Sequence, residues 1–265
     1  MSRTLPGPHE LGQNHLIDRR VAARIVTLVR AAEPPLPIVE WAAGRGAITR
    51  PLIRLGRPVE AVELDPRSIA RLRQAVGDRV TVSRCDILRH APPEAPHDLV
   101  CNVPFHLTTP VIRRLLALRH WRRAVLLTQW EVARKRAAVG GTTLLTAQWW
   151  PWYEFRLDRR VPSSSFAPRP SVDGGILVVD RRRETLLAED DQHAYQQFVA
   201  SAFSGRGRGI AEILRRHGLS KATLRTWRRA HGVRERDLPR DVTAHAWVDA
   251  YHHATRATPS RRSPR

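Results

Sequence analysis

Apolar positions along the chain recur in two rhythms. Leu16, Val21, Ile25, Leu28 and Val29 follow the spacing of one helix face. They predict a helix with Asp18 as its N-cap, ended by Glu33-Pro34-Pro35. Short apolar runs then alternate with helical segments. LPIVEW (36–41), VEAVELD (59–65), RVTVSRCDIL (79–88), HDLVCNV (97–103) and RRAVLLTQ (122–129) read as strands. AITRPLIRLG, PRSIARLRQAVG and TTPVIRRLLAL read as helices, Pro66 suiting a first turn and Pro51 tolerable only near one. Strands alternating with helices predict an α/β fold, a parallel sheet covered on both faces. Ligands in such sheets bind at the carboxyl ends of the strands. Gly44, Gly46, Glu63, Asp86 and Asn102 all fall at those ends.

Beyond residue 130 the rhythm changes. TTLLTAQWWPWYEFRLDRRV and GGILVVDRR suggest further strands completing the sheet, joined by the Pro/Ser-rich PSSSFAPRPSVDGG. From about residue 189 three helical segments follow: DQHAYQQFVASAFS, GIAEILRRHGLSKATLRTWRRA and TAHAWVDAYHH. The expected organisation is an N-terminal arm (1–15), an α/β domain (16–182), a small all-helical domain (189–253) and a basic, disordered tail (254–265). Trp149, Trp150 and Trp152 are expected in a core or domain interface rather than as base platforms.

Charge changes the picture. The 265 residues carry 45 Lys+Arg against 25 Asp+Glu, a formal net charge of +20, and all the basic residues except Lys135 and Lys221 are arginine. A GC-rich genome accounts for arginine over lysine but not for the excess of bases over acids. An excess of that size attracts polyanions, and arginine's planar fork suits phosphate and base stacking. Cys85 and Cys101 are too few for a zinc site or a disulfide framework, so no metal is expected. No apolar stretch approaches the ~20 residues of a membrane span, and the first residues lack a signal peptide's apolar region. The expectation is a soluble, cytoplasmic protein without a membrane partner.

The strand ends carry candidate chemistry. EWAAGRG is neither the full dinucleotide fingerprint nor a phosphate-cradling loop, yet it sets the acid Glu40 before glycines that let backbone approach a ligand. Glu63 is placed to accept from both ribose hydroxyls of an adenosine-type ligand. Asp86 either accepts from an adenine amino group, with Ile87 and Leu88 covering the ring, or simply starts a turn. Asn102 precedes Val-Pro-Phe. A base amino group is a poor nucleophile because its lone pair is delocalised into the ring. An Asn carbonyl and a backbone carbonyl can each accept one N–H and draw the nitrogen toward tetrahedral geometry. Phe105 can stack on a flipped base, and Pro104 stiffens the loop.

GQNHLID, EWAAGRG, AVELD, RCDIL and NVPF, in this order, resemble the rRNA adenine N6-methyltransferases. That family uses S-adenosylmethionine. It includes the Erm enzymes, which act on 23S rRNA and give macrolide–lincosamide–streptogramin B resistance, and the dimethylases of 16S rRNA. QWEVARKRAAVGGTTLLTAQWWPWYEFRL with VPSSSFAPRPSVDGGILVVDRR is similar to the Erm branch of actinomycetes, and the resemblance covers roughly residues 9 to 250. It implies a Rossmann-like methyltransferase sheet with helices on both faces and a small C-terminal all-helical, RNA-binding domain. It assigns Gln13, Asn14 and Leu16 to the methionine side of the cofactor, and brings the backbone of the Ala42–Gly44–Gly46 loop near it. It further gives ribose to Glu63, adenine to Asp86 with Ile87, and the target base to Asn102, Pro104 and Phe105, with Asn102 also lining the cofactor. Three positions depart from the pattern: His15 where Phe is usual, Ala42 where Gly is usual, and Phe105 where Tyr is frequent.

Candidates for gripping RNA are Arg19, Arg20, Arg113, Arg114, Arg134, Lys135, Arg136, Arg206, Arg208 and Arg215. The function implied is N6-methylation of an adenine in 23S rRNA, naked or in a large-subunit assembly intermediate, by a monomer. The alternatives are a 16S rRNA dimethyltransferase and a non-catalytic RNA-binding or ribosome-assembly factor on the same fold.

Overall fold

A computed structural model describes residues 14–257. Gln13, with the arm before it, and the tail beyond residue 257 lie outside the described residues. The chain runs β1 (His15–Leu16), α1 (Arg19–Arg30), β2 (Ile38–Trp41), α2 (Thr49–Ile53), β3 (Val59–Glu63), α3 (Pro66–Val76), β4 (Thr81–Arg84), β5 (His97–Asn102), α4 (Thr108–Ala117) and β6 (Trp121–Gln129). It continues with α5 (Trp130–Arg136), α6 (Leu144–Trp149), β7 (Tyr153–Val161), β8 (Phe166–Ala167), β9 (Gly174–Arg181), α7 (Gln192–Ser204), α8 (Ile210–Arg216), α9 (Lys221–His231) and α10 (Ala244–Ala257). Asp18 caps α1 as expected, its Oδ1 accepting the Arg20 N–H at 2.8 Å. Asp65 caps α3 through the N–H groups of Arg67 and Ser68, with Pro66 in the first turn.

The main sheet has seven strands in the order β4-β3-β2-β5-β6-β9-β7. Strands β2 to β6 are parallel, and β9 lies antiparallel on β6. The inner parallel strands β2, β3, β5 and β6 are mostly buried because helices shield both faces, with Ile38, Trp41, Val62, Leu99 and Val125 fully so, whereas the edge strand β4 is polar and partly exposed. β1 pairs with β8 in a separate two-stranded ribbon, His15 opposite Ala167 and Leu16 opposite Phe166.

Several expected boundaries move. TTLLTAQWW forms helix α6 rather than a strand, since Thr143 caps it by accepting the Thr146 N–H and the Tyr195 hydroxyl donates to the Ala147 carbonyl at 3.0 Å. β4 stops at Arg84, and Cys85 to Leu88 form a turn closed by Asp86 Oδ1 on the Leu88 N–H. α10 runs on to Ala257, into the stretch expected as tail.

The chain divides into two compact units. One takes in the residues up to Arg134 with Phe155–Arg181, and the other Lys135–Glu154 with the residues from Arg182 on. Lys135–Glu154, expected in the α/β domain, therefore groups with the C-terminal helices. Trp152 is buried there and meets Tyr195 edge-on at 5.8 Å, so the tryptophan-rich stretch is core. No described helix is long and apolar enough to cross a membrane.

At the amino end of β5, Asp98 is fully buried between Arg57 and Arg122. Arg122 grips it through Nε at 3.0 Å and Nη2 at 2.6 Å. Both arginines also donate to carbonyls of the α1–β2 connection, among them Leu36 and Pro34, so one carboxylate ties that connection to the sheet. Removing it strands two guanidinium groups, one of them 8% exposed. Asp98→Ala is expected to cost about 3–5 kcal/mol in urea unfolding, with Asp98→Asn less severe.

Candidate functional site

Register assembles the site. Trp41 stands opposite Val62 on one side and Cys101 on the other, so the residues following β2, β3 and β5 emerge together at the carboxyl edge. Ala42 to Gly44, Glu63 and Asn102 become neighbours without any long-range search by their side chains.

Glu63 is buried and its carboxylate is held by backbone. Oε2 accepts the Gly44 N–H at 2.7 Å, and Oε1 accepts the N–H groups of Leu64 and Asp65 at 2.9 Å each. Three of its four acceptor positions are taken by backbone N–H groups, which leaves one on Oε2. Gly44 has φ +57, and a Cβ there would approach the His15 ring at 3.4 Å. Gly46 has a different duty: a Cβ would come within 2.9 Å of Leu72 in α3, so it permits helix packing and lines neither cleft described below. Ala42 adopts φ +54, a conformation costly for any residue with a Cβ.

Two clefts meet at this edge. The first, about 730 Å³, is lined by Asn14, Glu63, Leu64, Asp86, Ile87 and Pro104 among others. Asp86 spends Oδ1 on the Leu88 N–H, leaving Oδ2 as an acceptor. Leu64, 48% exposed, forms an apolar wall that the sequence reading missed; the signal was an apolar residue directly after a strand-end acid. The second cleft, about 1050 Å³, is lined by Leu16, Glu40 and the arginines Arg19, Arg45 and Arg50. His15, Ala42, Gly44 and Asn102 border both.

Asn102 sits at that junction. Its Nδ2 donates to the Asn14 carbonyl at 3.1 Å, joining residues 88 apart in sequence and leaving the amide oxygen as an acceptor. Phe105 does not line either cleft. Its ring packs edge-on against Phe166 at 5.9 Å. Phe166 belongs to β8, whose pairing with β1 holds His15 and Leu16 in place, and nothing in the Ser/Pro-rich SSSFAP distinguished it beforehand. The cleft-lining His106 was missed as well.

Burial favours the uncharged form of three groups here, Glu40, Cys101 and His15. Glu40 is pushed up to about 8 by burial, with Glu63 adding to the rise, and its Oε2 has no hydrogen-bond partner. Burial, with Glu40 and Glu63, raises the Cys101 thiol well above its ordinary range, so it is no thiolate nucleophile. His15 is lowered by burial and by Arg45, and is therefore a neutral ring at pH 7.

The expected RNA-gripping residues scatter. Arg19 lines the second cleft; Arg20 and Arg113 are exposed. Arg114 instead donates to the His90 carbonyl, and Arg134 pairs with Glu131 at 2.9 Å. In the other unit Arg136 donates to the Thr143 hydroxyl, while Lys135, Arg206, Arg208 and Arg215 are exposed.

Comparisons with known proteins follow the same line. The family model described as ribosomal RNA adenine dimethylase matches residues 7–255. The mycinamicin-resistance protein MyrB of Micromonospora griseorubida is 49% identical over 263 residues, 98% of this chain and 84% of that protein. An rRNA adenine N-6-methyltransferase of Corynebacterium diphtheriae is 46% identical over 213 residues, 80% of this chain and 83% of that one. The crystal structure of the 23S rRNA methyltransferase ErmE superposes with a TM-score of 0.83 at 30% identity, covering 91% of this chain and 99% of that one.

A neutral buried Glu40 has a pH signature. Its folded pKa lies above its unfolded value, so the native state holds an extra proton between roughly pH 4.5 and 8. This contribution to stability is complete below that window and is lost as pH rises through it. Thermal melts from pH 5 to 9 should show Glu40→Gln losing stability less steeply than the parent chain. Ala42→Gly, which relieves the left-handed backbone, should gain up to about 1 kcal/mol in denaturant unfolding.

Proposed function

We propose that this chain, which belongs to the ribosomal RNA adenine dimethylase family, methylates N6 of an adenine in 23S rRNA and thereby confers macrolide–lincosamide–streptogramin B resistance. The enzyme class is that of the S-adenosylmethionine-dependent rRNA adenine N6-methyltransferases. The choice of 23S rRNA is supported by the resistance-protein and ErmE likenesses. On this reading the enzyme works in the cytoplasm, where rRNA is made and assembled.

The residues present fit the cofactor. Glu63 keeps one acceptor for a ribose hydroxyl and Asp86 keeps Oδ2 for an adenine amino group. Ile87 and Leu64 supply apolar surface in the same cleft, and Gly44 carries no side chain that would narrow it. The polar second cleft, with Arg19, Arg45 and Arg50, suits a charged amino-acid end. When bound, S-adenosylmethionine supplies a methyl group activated by its sulfonium.

The observation that carries the reading is the tethered amide of Asn102 at the junction of the two clefts. With Nδ2 committed to the Asn14 carbonyl, Oδ1 accepts an N–H of the adenine amino group and localises the nitrogen lone pair. The fixed φ of Pro104 keeps the neighbouring carbonyl in place as a second acceptor. The rate gain comes from holding nucleophile and methyl donor in line. The pairing of Phe105 with Phe166 stiffens the wall beside which the base enters.

Asn102→Ala is expected to lower methylation of 23S rRNA at least about 100-fold, with calorimetric binding of S-adenosylmethionine retained. Primer extension on rRNA from a sensitive host expressing the chain should stop at one 23S adenine, with macrolide and lincosamide resistance. Modification of 16S rRNA instead would sink the proposal.

A further inference from the structure

Four residues border both clefts of the carboxyl edge, His15, Ala42, Gly44 and Asn102, and of these His15 alone titrates near neutrality. Its half-buried ring stands over the glycine loop, where a Cβ on Gly44 would come within 3.4 Å of Nδ1. The backbone that carries it is held on both sides. His15 pairs with Ala167 across β1 and β8, and the preceding Asn14 carbonyl accepts the Asn102 Nδ2 at 3.1 Å. Among the described residues neither nitrogen of the ring has a hydrogen-bond partner. The imidazole is therefore fixed in place, and its nitrogens are spent on nothing in the fold.

The groups around it decide its charge. Burial does most to lower its pKa, and Arg45 of the glycine loop and Arg71 of α3 also oppose a proton there. Glu63 at the end of β3 and Asp65 before α3 work the other way. β8 sets only the uncharged Ala167 opposite it. Asp18, Arg19, Glu40 and Arg50 line the second cleft beside it, and Asp86 and His106 the first. Glu40, pushed up to about 8, is uncharged over the range in which a histidine titrates. The ring is thus neutral at pH 7 and takes a proton only below the ordinary histidine value of about 6.5. Neutral, it offers an unshared pair on one nitrogen; protonated, it is a cation with two donors.

S-adenosylmethionine joins an adenosine end to an amino-acid end through a single sulfonium. With the first in the apolar cleft and the second in the arginine-lined one, that link falls on the shared border, beside His15. We propose that His15 selects the methyl donor by charge: the neutral ring accepts the sulfonium cation, and the imidazolium excludes it while still admitting the uncharged thioether left after methyl transfer. This rests on the reading of the two clefts as the S-adenosylmethionine site. Donor and product differ there by one methyl group and one positive charge, so a charge at the border is the feature that tells them apart. Like charges in a half-buried cleft are poorly screened, which makes the protonated ring an effective discriminator.

The test is calorimetric binding of S-adenosylmethionine and S-adenosylhomocysteine to the full chain from about pH 7.5 to 4.5, which spans the titration of a lowered histidine. Both ligands meet the same carboxylates and arginines, so the ratio of their affinities isolates the response to the sulfonium charge. In the parent chain that ratio should swing toward the thioether by about fivefold or more across the range. His15→Phe, a flat ring that cannot titrate, should hold its own ratio constant within about twofold, and His15→Gln should do the same by a different shape. Binding of the sulfonium ligand to the parent near the middle of the range should also release protons, read from heats in buffers of differing ionisation enthalpy, and the thioether should release none. A ratio that stays constant in the parent, or that moves equally in both variants, would overturn the proposal; the second result would assign the response to Glu63 and Asp86. A parent chain that binds neither ligand at pH 7.5 would overturn the reading of the clefts and this proposal together, whereas firm binding with a constant ratio would overturn this proposal alone.

Discussion

Three parallel strands ending in register are the constraint on which the rest of the site depends. Because Trp41 faces Val62 and Cys101, the chain leaves the sheet at three adjacent points on one edge. The backbone hydrogen bonds that make the sheet stable also place the glycine loop, Glu63 and Asn102 beside one another. Glu63 then locks the arrangement by accepting from Gly44 and from its own following turn. The site is stiff for the same reason that the sheet is.

A second tie comes from far along the chain. Asn102 holds the Asn14 carbonyl, β1 pairs with β8, and the Asp18 carboxylate accepts the Ser165 hydroxyl. Residues on either side of the sheet sequence are thereby fastened over its carboxyl edge. The same three contacts align the Asn102 amide, carry His15 to the junction of the clefts, and set Phe166 against Phe105. Orientation of the Asn102 amide is therefore a by-product of closing the N-terminal segment onto the sheet, and no separate device is required for it.

Most of the sheet was legible because its rules are local. Apolar runs of four to six residues, Asp caps and a Pro-led helix give the alternation directly. Glu63, Asp86 and Asn102 were legible as polar residues at strand ends. What was not legible depended on partners distant in sequence. α6 read as a strand because Leu144, Leu145 and Trp149 are apolar in either setting, and only its contact with Tyr195 and its Thr143 cap select the helix. Phe166 lay in a segment with the composition of a linker, and its value arises from pairing with β1. Counting the hydrogen bonds on Glu63 needed coordinates, since the sequence does not reveal that its own backbone occupies three of its acceptor positions.

The large positive charge divides into two populations with different physics. Arg24, Arg57, Arg122 and Arg123 are matched to Asp158, Asp98 and Asp180, so they serve the fold. Being paired, they add little to the excess of +20. That excess must reside on arginines without carboxylate partners, as along the rim of the second cleft and between α8 and α9. A single net charge conceals this difference. It follows that replacing an arginine of the first kind would change stability with little effect on the salt dependence of RNA binding, and one of the second kind the reverse.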